Sequence, residues 1–158
     1  MPLEIRRFQS KDAKTFLEVH HRAVRGSAAT DYPTSVIDAW APAIGDCQVE
    51  HLRNDGEGMR ILAEDDNEVI GIGEVVPELG ELRACYVAPE HSGKGVGRTL
   101  VEALEHIARS NGCWSLSLDS SLNAAGFYEK LGYAILARGE HMLGPGQALA
   151  CIRMRKEL

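Results

Sequence analysis

What this chain lacks narrows its identity before any motif is read. Its four cysteines, Cys47, Cys85, Cys113 and Cys151, lie far apart. No Cys-x-x-Cys occurs, so a zinc ribbon or dithiol redox motif is not expected. In a cytoplasmic chain these are free thiols. No apolar run approaches the roughly 20 residues of a membrane-spanning helix. The opening Met1-Pro2-Leu3-Glu4-Ile5-Arg6-Arg7 has no apolar signal-peptide core, so a cytoplasmic protein with no membrane partner is expected. Lys and Arg number 17 against 23 Asp and Glu, a formal net charge of −6 that argues against nucleic acid as a partner. Repeats, low-complexity tracts and linkers are missing too.

What is present reads as one globular domain over residues 1–158. Hydrophobic content is 44% and charged content 25%, ordinary values for a packed core with a polar surface. The most informative phrase is Val87-Ala88-Pro89-Glu90-His91-Ser92-Gly93-Lys94-Gly95-Val96-Gly97-Arg98. An apolar strand runs into alternating glycines and then directly into an amphipathic helix. Glycines remove the Cβ atoms that would keep a ligand off the main chain. The first N–H groups of a helix have no intrahelical acceptor and carry partial positive charge. The combination suits a phosphate or pyrophosphate, and Lys94 and Arg98 add two cations. A P-loop would need Ser or Thr after Gly93-Lys94, and Gly95 stands there instead. A Rossmann fingerprint counted from Gly93 would need glycine where Arg98 stands.

Periodicity places the remaining elements. Leu3–Phe8 reads as a strand, and Ser10 as the N-cap of a helix over Lys11–Arg25. A loop over Gly26–Pro33 and a short helix over Ser35–Ala41 follow, and Gly45–Glu57 reads as partly helical. Met59–Glu64 and Val69–Val76 flank Asp65-Asp66-Asn67 as a hairpin, and Glu81–Val87 is the next strand. Val96, Leu100, Val101, Leu104, Ile107 and Ala108 share one helical face that Asn111-Gly112 terminates. Trp114–Asp119 alternates as a strand, Ala124–Leu131 is a short helix, and Tyr133–His141 and Leu149–Arg155 are two strands around Gly144-Pro145-Gly146. The order is β-α-α-β-β-β-α-β-α-β-β.

The glycine phrase resembles the acetyl-CoA loop of the GNAT superfamily of N-acetyltransferases, Arg/Gln-x-x-Gly-x-Gly/Ala. Here it reads Ser92-Gly93-Lys94-Gly95-Val96-Gly97, with Ser92 where the family usually has Arg or Gln. Phe127-Tyr128-Glu129-Lys130-Leu131-Gly132-Tyr133 is similar to the family's second diagnostic segment, and the element order matches as well. The resemblance implies an α/β (α+β) GNAT fold, a mixed sheet of about seven strands with helices on both faces. Its fourth and fifth strands, here Glu81–Val87 and Trp114–Asp119, splay apart to admit the pantetheine arm. It implies acetyl-CoA as donor, no metal, and a small-molecule or peptide amine as acceptor, with a homodimer as a further possibility.

Site residues follow from the same resemblance. Ser92, Gly93, Lys94, Gly95, Val96, Gly97, Arg98 and Thr99 form the cofactor loop, and the main chain of Tyr86 and Val87 holds pantetheine and polarises the thioester. Many members carry an Asn seven positions before the motif tyrosine. Ser121 stands there in this chain, and Asn123 is the nearby candidate for cofactor contact or helix capping. Tyr128 is the acid that protonates the departing thiolate, and a phenol within reach of the sulfur is suited to that. Glu81 occupies the place of the glutamate base in the histone-acetylating branch, with Glu74 or an ordered water as alternatives. Acceptor specificity would come from His20–Trp40 and Met142–Ala148. A non-catalytic acyl-CoA sensor on the same fold is the alternative, because fold does not settle activity.

Overall fold

The computed structural model describes residues 3–144 and 146–158; Pro145, at the centre of the expected Gly-Pro-Gly turn, lies outside them. Seven strands form one mixed sheet in the order β1-β2-β3-β4-β5-β7-β6. They are β1 Glu4–Arg7, β2 Met59–Asp65, β3 Glu68–Val76, β4 Glu81–Val87, β5 Ser115–Ser121, β6 Ala134–Gly144 and β7 Gln147–Glu157. The helices are α1 Ala13–Ala23, α2 Thr34–Trp40, α3 Asp46–Asn54, α4 Val96–Ser110 and α5 Ala125–Lys130.

Local chemistry accounts for most of these boundaries. Asp66 and Asn67 both take positive φ, 53° and 65°, which fits a two-residue turn matching the twist of β2 and β3. Gly112 closes α4 at φ 77°. Alternate residues of β2 enter different cores. Ile61 and Ala63 join the cluster under α4, whereas Leu62 packs with Phe16 and Val19 of α1. Gly71 and Gly73 on β3 let α4 lie close, since a Cβ at either would sit 2.8 or 2.9 Å from Leu100 or Leu104.

Gly45–Glu57 is partly helical as expected, through α3; Val49 is the only buried residue of that helix, so it shows little apolar stripe. Two features differ from the sequence expectation. The first long helix begins as a 3₁₀ turn at Ser10–Asp12, capped by the Asp12 carboxylate on the Gln9 N–H (2.8 Å) rather than by Ser10. It does not stop at Arg25, because a π-helical turn, Val24–Ala28, carries it through Gly26. Gly26 is required there for contact: a Cβ would lie 2.3 Å from Pro89, just ahead of the glycine loop.

Two irregularities position the site. Glu74 pairs with Ala84 while Val75 pairs with Leu82, so Arg83 is an extra residue that bulges β4. Beyond it β4 and β5 part. Their parallel pairing consists of Glu81 with Ser117, supported by the Ser117 N–H donating to the Gly80 carbonyl (2.8 Å).

Candidate active site

The parting of β4 and β5 leaves main-chain groups of β4 beyond Glu81 without a strand partner on that side. Two cavities open there. The first, of about 460 Å³, is lined by the glycine loop, the end of β4, the Val24–Ala28 turn, Asn123 and Phe127. The second, of about 400 Å³, is lined by β4 from Glu81 to Tyr86, with Tyr128, Asp119, His141, Leu143, Leu149 and Cys151. Trp40, Cys85, Tyr86, Ser121 and Ala124 line both, so the two spaces adjoin at the middle of the gap.

The backbone of the first cavity presents donors of the kind that suit an anion. Gly93 and Gly95 take φ 78° and 84°, the left-handed region that strains any residue with a Cβ. Among the described residues, the N–H groups of residues 93 to 98 find no main-chain acceptor; the first such bond of α4 runs from the Thr99 N–H to the Gly95 carbonyl (3.1 Å). Unpaired donors at the start of a fifteen-residue helix fit a pyrophosphate. Gly97 also serves packing: a Cβ there would sit 3.0 Å from the Phe127 ring. Arg98 lines the cavity and pairs with Glu102 (2.9 Å), Lys94 is exposed outside the lining, and the Thr99 hydroxyl donates back to Gly95 (3.0 Å).

The shared wall is aromatic. His20 stands edge-on to Tyr86 at 4.7 Å, and Trp40 lies 6.4 Å from Tyr86 and 5.6 Å from Tyr32. Burial, with a smaller contribution from His21, pushes His20 down to about 4, so it is neutral near pH 7. The Tyr32 hydroxyl donates to the Ala150 carbonyl (2.6 Å) and accepts the Leu122 N–H (2.9 Å), tying the turn after β5 to β7. Burial pushes the Cys85 thiol up to about 12, which removes the thiolate an acyl nucleophile would need.

In the second cavity, burial holds the Tyr128 phenol well above its usual range, so it stays protonated. Glu81 stands at the closed end of the gap with Arg83 across its carboxylate at 3.1 Å, and Arg83 also reaches Glu57 (3.1 Å). Glu74 lines neither cavity. Its buried carboxylate lies 3.0 Å from Arg60.

The sequence profile of the Acetyltransferase (GNAT) family matches residues 22–133, well over half the chain. The chain belongs to this family. Among solved structures it is similar to a GCN5-related N-acetyltransferase from Rhodopseudomonas palustris, with TM-score 0.90 and 28% identity over 100% of this chain and 97% of that one. The fold is shared with the PaiA N-acetyltransferase of Thermoplasma acidophilum, solved with coenzyme A, at TM-score 0.79 and 24% identity with both chains fully covered. The glucosamine 6-phosphate N-acetyltransferase of Trypanosoma brucei brucei is 42% identical over 55 residues, 35% of this chain and 37% of that protein. A Bacillus subtilis protein named as a candidate acetyltransferase is 36% identical over 80 residues, 49% of this chain and 54% of its own. These curated matches thus span about half of each relative or less.

In this GNAT chain the cofactor-loop candidates split. Ser92, Gly93, Gly95, Val96, Gly97 and Arg98 line the first cavity with Tyr86, Val87 and Asn123, whereas Lys94 and Thr99 do not. The N-cap position of α5 is Ala124, with no side-chain cap, so Asn123 is not capping it. Trp40 and Leu143, from the two segments expected to set acceptor specificity, both line the second cavity, whereas sequence reasoning missed Phe127, Asp119, His141, Leu149 and Cys151. Only Phe127 carried a local signal, as the residue before the motif tyrosine. The histidine spacing gave no sign that Glu68, Glu90 and His91 come together at the surface, where Glu90 is paired with Arg22.

Proposed function

We propose that this chain is an acetyl-CoA-dependent N-acetyltransferase that holds donor and amine together and lets the amine attack directly. The adjoining cavities at the parting of β4 and β5 carry this reading. Reactants entering from the two sides meet at Cys85 and Tyr86, and holding both in one geometry removes much of the entropic barrier to reaction. Acetyl-CoA supplies an acetyl group activated as a thioester. The free N–H groups of residues 93 to 98 would hold its pyrophosphate with Arg98 beside them, and the main chain of Tyr86 and Val87 would receive the pantetheine arm. Lys94 would add only long-range attraction from its exposed position.

Glu81 and Tyr128, which line the second cavity, would divide the proton traffic. Glu81 takes the proton an amine must lose before attack, and the protonated Tyr128 phenol gives one to the departing sulfur. Glu74, bound to Arg60 and away from both cavities, is poorly placed as an alternative base. The acceptor is a small-molecule or peptide amine. The reading is tested by incubating the protein with acetyl-CoA and a panel of amines, following free-thiol release and product mass. Amine-dependent release with an acetylated product is expected. Tight acetyl-CoA binding with no turnover on any amine would assign the chain to the sensor class, and no binding would remove both readings.

A further inference from the structure

Tyr32 lines neither cavity, yet its side chain reaches three parts of their walls. Its ring is buried with Val24, Ala28, Val36, Ile37 and Leu149 in a small cluster separate from the core under α4. It stands edge-on to Trp40 at 5.6 Å. Its hydroxyl accepts the Leu122 N–H and donates to the Ala150 carbonyl, 90 and 118 residues away along the chain. β5 and β7 pair in an unbroken antiparallel register that ends at Ser121 with Cys151. One further step sets Leu122 opposite Ala150, where a hydrogen-bonded antiparallel pair joins N–H to carbonyl directly. Here both groups bond one phenol oxygen instead.

The Tyr32 hydroxyl is thus a wedge in the ladder. Beyond it β5 stops, and the Ala124 N–H closes a turn onto the Ser121 carbonyl (3.1 Å). Ser121 and Ala124 line both cavities, and Leu149 and Cys151, on either side of Ala150, line the second. A phenylalanine ring would fill the same space and let the ladder close, so the distinct contribution of the hydroxyl is where the chain turns. We infer, on the reading of the second cavity as the acceptor site, that Tyr32 is a positioning residue for the amine. Its hydroxyl holds the ladder open at Leu122 and Ala150, and so sets the Ser121–Ala124 turn against the Leu149–Cys151 wall.

The test compares Tyr32→Phe with Val36→Ala, which thins the same cluster without touching the wedge. With an amine that the wild type acetylates, Tyr32→Phe should raise the amine KM about tenfold, while kcat and acetyl-CoA affinity stay within about threefold. Val36→Ala should lower the melting temperature and leave the amine KM within about twofold. In amide spectra of folded Tyr32→Phe, residues 121–124 should shift and residues 93–98 should not. In the wild type itself, the Leu122 amide should exchange as slowly as the ladder amides of β5. Exchange there at the rate of an open loop, or unshifted resonances at 121–124, overturns the wedge. An amine KM that stays put in Tyr32→Phe, or rises equally in Val36→Ala, overturns the positioning role while leaving the enzymatic reading intact. A wild type that acetylates no amine overturns both.

Discussion

The two cavities that meet at Cys85 and Tyr86 are made of different material. The first has a main-chain element at its centre, the left-handed glycines, unpaired N–H groups and helix start of residues 93–98, with side chains such as Trp40 and Phe127 completing the wall. The second is assembled from side chains of α2, β4, β5, α5, β6 and β7. A backbone-built site tolerates almost any side chain that leaves the loop conformation intact, and it suits the constant part of a donor. A side-chain-built site changes with every substitution, and it suits a variable acceptor. One GNAT frame can therefore hold one kind of donor and many kinds of amine.

The sharpest way to break this contrast is to put a side chain where the first cavity has none. Gly95→Glu combines left-handed backbone strain with a carboxylate at an anion site, and acetyl-CoA affinity should fall by about a thousandfold or more. Calorimetry on a variant whose circular dichroism shows it folded decides this; unchanged affinity would mean the loop is not the pyrophosphate site. On the other side, Tyr128→Phe should lower turnover by about a hundredfold or more while leaving acetyl-CoA affinity within about twofold. Equal turnover would reduce Tyr128 to a packing residue.

The shared wall responds to acid. His20 is held down to about 4 by burial, below its ordinary 6.5. Below pH 6.5 the unfolded chain binds a proton that the folded chain refuses, so stability falls as pH drops from 6.5 toward 4 and levels off below that. The loss is up to about 3 kcal/mol. His20→Phe should flatten this limb in urea melts taken between pH 4 and 7; parallel limbs for the two proteins would show that His20 is not the source.

The smallest effect is expected at Glu81. Glu81→Gln keeps the shape and removes the base, so catalytic efficiency should drop about tenfold, chiefly on the low-pH side, with donor affinity intact. Superimposed pH–rate profiles for one defined amine would leave an ordered water as the route for the proton.

Legibility in the sequence followed the same division. β4 has the bounds read for it from the sequence, Glu81–Val87, and the Asp66-Asn67 turn and the Gly112 stop sit where turn chemistry put them. α3 was legible only as a partly helical stretch without bounds, because its polar composition hides a single buried contact at Val49. β6 runs longer than expected because exposure on an edge strand erases the in–out alternation that marks strand ends, and β7, paired along it, is extended with it. Of the site, the glycine loop and Tyr128 could be read from contiguous residues. The pairing of Glu81 with Arg83 and the placement of Asp119, His141 and Leu149 around one cavity could not.

The sequence by itself determined the parts whose physics is local. Positive-φ glycines, the unpaired donors of a starting helix and the apolar stripe of α4 depend on neighbours a few residues away. Only the tertiary structure decided the parts that need distant residues in one place. It separated β4 from β5 after a single paired position, and it set Gly97 against the Phe127 ring. It also withdrew Glu74 from the site by burying it against Arg60. Such contacts span tens of residues along the chain, and no short-range preference of the residues involved specifies them.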